Sequence, residues 1–91
     1  MAELIAAGTA DANSADIVLT DGGSSTVFLK SGTGGVIVEG ARGVIQIKSS
    51  GGHYFTVGTL DRDNPATAIL GPGTFRVVRL ANASAFGVDA E

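Results

Sequence analysis

Ninety-one residues support one domain and one core, so 1–91 is read as a single unit with no site between domains. Cysteine is absent, which excludes disulfides, thiolate zinc sites and cysteine nucleophiles and leaves the redox compartment open. Six Lys plus Arg against nine Asp plus Glu give a formal charge of -3. The cations are scattered at Lys30, Arg42, Lys48, Arg62, Arg76 and Arg79, and one Tyr, four Phe and no Trp offer little stacking surface, so nucleic-acid binding is disfavoured. Charged residues make up 16% of the chain against about 25% in ordinary soluble domains, so part of the surface is expected to be covered.

The N-terminal Met-Ala-Glu-Leu-Ile-Ala-Ala-Gly has no basic region and only a short apolar stretch. It is read as neither a signal peptide nor a membrane span, so the product is expected to stay in the cytoplasm unless an assembly carries it elsewhere. Glu3 to Ala7 forms a first β-prone run. Gly8 to Ser14 reads as a loop, which makes 1–14 a candidate extended arm lying on its own sheet or a neighbour's; an ordinary first strand fits equally well. Asp16 to Thr20 and Thr26 to Lys30 are strands around Asp21-Gly22-Gly23, joined as a hairpin or as a connection between sheets. Val27 and Leu29 share one face.

Ser31 to Gly35 is a turn leading to a strand at Val36 to Glu39, and Gly40 to Gly43 breaks the ladder. Val44 to Lys48 alternates with Ile45 and Ile47 inward. Ser49-Ser50-Gly51-Gly52 is a hairpin turn whose glycines supply positive φ. It leads to His53 to Leu60, where alternation points Phe55 and Val57 to the core and Gly58 marks a bulge. Asp61 to Pro65 is a polar loop. Ala66 to Leu70, then Thr74 to Leu80 after Gly71-Pro72-Gly73, continue the pattern, with Phe75 and Val77 on one face and Arg76 and Val78 on the other. Phe86 to Val88 is the final run. No stretch carries apolar residues at helical spacing. The expected fold is all-β, a two-sheet antiparallel sandwich of seven or eight short strands.

Chemistry is sparse. His53 is the only histidine, so any triad or metal-histidine proposal passes through it, and beside a hairpin turn it reads as a solvated strand start. Asp61-Arg62-Asp63-Asn64 resembles the opening of a calcium loop but lacks the sixth-position glycine and the closing glutamate, and Pro65 follows. Gly32-Thr33-Gly34-Gly35 has glycine donors for a phosphate without a helix start or a lysine after it. Asn82-Ala83-Ser84 matches a glycosylation acceptor formally. Catalytic residues, cofactors and metals are therefore expected to be none. The apolar residues near the chain ends, Leu4, Ile5, Phe86 and Val88, are the expected partner interface, through strand addition between subunits.

Ile69-Leu70-Gly71-Pro72-Gly73-Thr74-Phe75-Arg76-Val77-Val78 resembles the Pro-Gly-Thr-aromatic lead to a late strand in fibronectin type III and other immunoglobulin-like sandwiches. The resemblance implies that Phe75 packs between the sheets. The chain is also similar to small phage virion proteins in its Ala/Gly/Ser/Thr/Val-rich strands and in the runs Val44-Ile45-Gln46-Ile47-Lys48 and His53-Tyr54-Phe55-Thr56-Val57-Gly58. That resemblance implies a capsid decoration or cement protein, a homo-oligomer such as a trimer, assembled in the host cytoplasm onto the major capsid protein or other virion proteins. The alternative is an immunoglobulin-like recognition module for carbohydrate or a cell-surface partner. Both readings exclude a membrane or nucleic-acid partner, and neither is an enzyme.

Overall fold

The computed structural model describes residues 2–31 and 37–91. Among them are nine strands and no helix: β1 (Ala2–Gly8), β2 (Ala12–Asn13), β3 (Ile17–Leu19), β4 (Ser24–Ser31), β5 (Arg42–Lys48), β6 (Tyr54–Asp61), β7 (Ala66–Leu70), β8 (Gly73–Arg79) and β9 (Phe86–Ala90). They form two antiparallel sheets packed as a sandwich, one ordered β1-β9-β4-β7 and the other β2-β8-β5-β6 with β3 also on β8.

Cross-strand rows build the core. Ile5, Val88 and Leu29 lie side by side across β1, β9 and β4, and Val27 pairs with Ala90. From the other sheet, Ile45 pairs with Val77, while Phe75 lies between Ile17 and Ile47. Ile17 and Ile47 are partly buried and the other residues of these rows are buried, Phe75 among them, so it does pack between the sheets. Burying each large side chain stabilises the fold by about 1.5 to 3 kcal/mol, and a sandwich of small strands gains most of its stability from such rows.

Local chemistry explains the elements. The Ser49 N–H donates to the His53 carbonyl at 2.7 Å, and Gly52 closes that hairpin with φ +88°, a conformation open to glycine. Asp21-Gly22-Gly23 connects β3 in one sheet to β4 in the other, so of the two readings of this turn the connection between sheets is the one observed. The segment read as a loop from Gly8 to Ser14 holds β2, and the Ser14 hydroxyl accepts from the Val77 N–H at 2.9 Å while the Ser14 N–H donates to the Val77 carbonyl at 2.8 Å. A side-chain rung thus continues the ladder where the backbone departs from it. Val36 of the strand expected at 36–39 lies outside the described residues. Ile37 and Val38 pack half-buried on the core without strand pairing, and Glu39-Gly40 is a turn.

Candidate functional site

The two lateral sides of the sandwich differ. On one side β1, the chain crossing to β2, and β9 converge on Arg79. Its position follows from parity: Phe75, Val77 and Arg79 alternate inward on β8, so a guanidinium enters the apolar face and is only 6% exposed. It is satisfied by main-chain carbonyls, with Nε donating to Ala10 at 2.9 Å and Nη1 to Ala6 and Phe86. A Cβ on Gly8 would stand 2.9 Å from this guanidinium, and one on Gly87 would stand 2.4 Å from the Ile5 carbonyl oxygen. Glycine at both places lets β1 close the sheet. On the outer face Lys30 Nζ reaches Glu3 at 2.5 Å and Asp89 at 2.8 Å, tying β1, β9 and β4. The hydrogen bond to Asp89, then that to Glu3, raises the Lys30 pKa above its ordinary value.

The opposite side is open. There β6 and β7 end their sheets, and an open cleft of about 440 Å³ lies between them. Core residues Ile45, Ile69 and Phe75 form its walls together with Val57, Gly58 and Thr67. Its lining includes no titratable side chain and combines apolar groups with the polar Thr59, Asn64 and Thr67. Phe55 and Val57 on β6 are 59% and 57% exposed, and Leu70 beside the cleft is 70% exposed.

Phe55 and Val57 were expected in the core, and the structure corrects this. Gln46 pairs with Thr56 but Ile45 pairs with Gly58, so Val57 is the extra residue of a bulge and resets the alternation. Gly58 and Leu60 then take the inward positions, leaving Val57 at the cleft. Phe55 shares the face of its partner Ile47 yet sits on a terminal strand with no described strand beyond it.

The expected interface residues lie elsewhere. Ile5, Phe86 and Val88 are buried in this chain's own core, and Leu4 is half-buried against it. Strand β9 is internal to its sheet and β1 is the edge strand beside it. Residues 2–8 pair with β9 as an ordinary edge strand.

The remaining candidates have local roles. His53 is exposed, its backbone N–H donating to Ser49 Oγ at 3.3 Å. Asp61 Oδ1 accepts from the Asp63 and Asn64 N–H groups at 3.0 and 2.8 Å, which shapes the polar loop. Among the described residues no group of three potential ligands is placed to hold a metal ion. Asn82 Nδ2 donates to the Glu39 and Ser84 carbonyls at 3.1 Å each. Gly32 to Gly35 lie outside the described residues.

A polar network crosses the outer face of β5, β6 and β8. Arg76 lies over the Tyr54 ring at 3.6 Å and donates to Gln46 at 2.8 Å, while the Tyr54 hydroxyl donates to Asp16 at 2.6 Å. That hydrogen bond, followed by burial, raises the Tyr54 pKa above its ordinary value. No family model, no curated protein and no solved structure matches this chain.

Proposed function

We propose that this chain is a structural assembly protein, of the kind that decorates and cements a phage capsid, and that it acts through protein–protein contact without catalysis. The observation that carries the reading is the open side of the sandwich, where Val57 and Leu70 stand exposed at a cleft walled in part by core residues and Phe55 is exposed on the same strand as Val57. Apolar surface gathered at one place marks an interaction site more often than single exposed residues do. Repetition in a shell suits such a contact, because many weak identical interfaces sum to a strong one.

Carbohydrate recognition is less well supported. Tyr54 is the chain's only tyrosine and the aromatic such a site would recruit, and Arg76 already covers one face of its ring.

The test is co-sedimentation of the purified protein with phage heads assembled from a major capsid protein. Saturable binding that weakens on Leu70→Lys is expected. Absence of binding to heads, with selective binding on a glycan array, overturns the proposal.

A further inference from the structure

We infer that the neighbour at the open side is a second copy of this chain, whose β6 adds antiparallel to β6 and joins the two β2-β8-β5-β6 sheets into one. The inference rests on the assembly reading above and names one of its contacts.

The edges differ in how they are protected. Native edges are blunted by shortness, charge, proline or irregular pairing. Strand β1 carries Glu3 and two register shifts, β2 and β3 have two and three residues, and β7 has five residues between Pro65 and Pro72. Strand β6 has eight residues, no proline, and no charged side chain from Tyr54 through Leu60. Its one irregularity is the bulge at Val57.

The bulge also selects the register. Paired residues across an antiparallel ladder must project to the same side of the sheet. On β6 the pairings with β5 place Phe55, Gly58 and Leu60 on the inward side and Tyr54, Thr56, Thr59 and Asp61 on the outward side, with Val57 turned to the cleft. A two-fold axis between Val57 and Gly58 satisfies every position at once. It sets Phe55 against Leu60 of the second copy, Val57 against Gly58, Thr56 against Thr59 and Tyr54 against Asp61. A register with Val57 opposite itself would set inward Phe55 against outward Thr59.

Charge fits the same arrangement. The carboxylate brought beside Tyr54 is Asp61 of the second copy, and Lys48 Nζ already lies over the Tyr54 ring, 5.8 Å from its centroid. The pairing thus brings each Asp61, whose Oδ1 accepts from the Asp63 and Asn64 N–H groups, beside a strand pair that carries Lys48, twice per dimer by symmetry.

Two measurements test this on the intact protein. Sedimentation velocity across a concentration series is expected to show a monomer–dimer equilibrium, with Val57→Lys raising the dissociation constant about ten-fold or more. A monomer at every concentration, or a dimer unmoved by Val57→Lys, overturns the inference. The chain has no cysteine, so disulfide trapping has no background. An oxidised mixture of Thr56→Cys and Thr59→Cys proteins is expected to cross-link between them, while each variant alone does not. Cross-linking of either variant alone, with none between the two, overturns the register. A monomer that still binds heads refutes this contact and spares the assembly reading; a β6-paired dimer that ignores heads does the reverse.

Discussion

Both lateral sides of this sandwich end in edge strands, yet one is sealed and the other left open. On the sealed side an arginine enters the apolar interior and meets the main-chain carbonyls of Ala6, Ala10 and Phe86, with glycines at positions 8 and 87 allowing close approach. On the open side β6 and β7 part around a cleft, and Phe55 and Val57 stay in solvent. The contrast teaches that exposed apolar surface here follows from incomplete edge protection on one side. A generally loose core would not leave Val27, Leu60, Val77, Phe86 and Val88 fully buried.

The largest expected effect comes from unsealing the closed side. Arg79→Met leaves the buried Phe86 carbonyl and the part-buried Ala6 and Ala10 carbonyls without this donor and is expected to cost about 3 kcal/mol in urea unfolding, with amide exchange rising first in Ala2–Gly8. A loss under about 1 kcal/mol would mean that the β9 ladder, the packing of Ile5 and the Lys30–Glu3 contact hold β1 without Arg79. Gly87→Ala follows at about 2 kcal/mol, because its new methyl meets the Ile5 carbonyl and β1 must shift. Gly8→Ala should cost about 1 kcal/mol, since the nearest atoms belong to a side chain, though one anchored by its hydrogen bonds.

The open side should respond differently. Phe55→Thr and Val57→Thr are expected to change unfolding of dilute protein by less than about 0.5 kcal/mol, because neither side chain is buried within the chain. A loss of about 2 kcal/mol at either would place that residue in the core and erase the contrast between the sides.

The smallest effect is alkaline. Lys30 and Tyr54 both have pKa values raised by carboxylate hydrogen bonds, from ordinary values of 10.5 and 10.0. A raised folded value means that each contribution is complete below the ordinary value and is lost as pH climbs through the folded one. Melting temperature should therefore hold to about pH 10 and decline above it, and Lys30→Met with Tyr54→Phe should shrink that decline.

Much of the fold was legible in residue order, and the open side was not. Alternation placed Ile45 inward and put Val27 with Leu29, and Phe75 with Val77, on shared faces that are the buried ones, and the glycine-rich turns marked many of the strand boundaries. The same alternation failed at Val57, the extra residue of a bulge beside Gly58, while Phe55 keeps the inward face of its partner Ile47 but lies on a terminal strand with no described strand beyond it, which local pattern does not show. For Leu4, Ile5, Phe86 and Val88 the sequence leaves an arm on a neighbour and an ordinary strand on the chain's own sheet equally open, because a pairing partner more than eighty positions away in the chain is invisible to local pattern. Arg79 was detectable, for it shares parity with Phe75 and Val77, and a cation on an apolar face signals a buried contact.

The place of β9 between β1 and β4 carries a consequence for biosynthesis. The ribosome makes β1 and β4 early, but neither can join the other until residues 86–90 have left the exit tunnel, because those residues are the strand that bridges them. Strand β4 can pair with β7 before then, but β1 waits for the segment that carries β9 to emerge. Removing Phe86–Ala90 would delete the spine of that sheet where trimming a tail was intended.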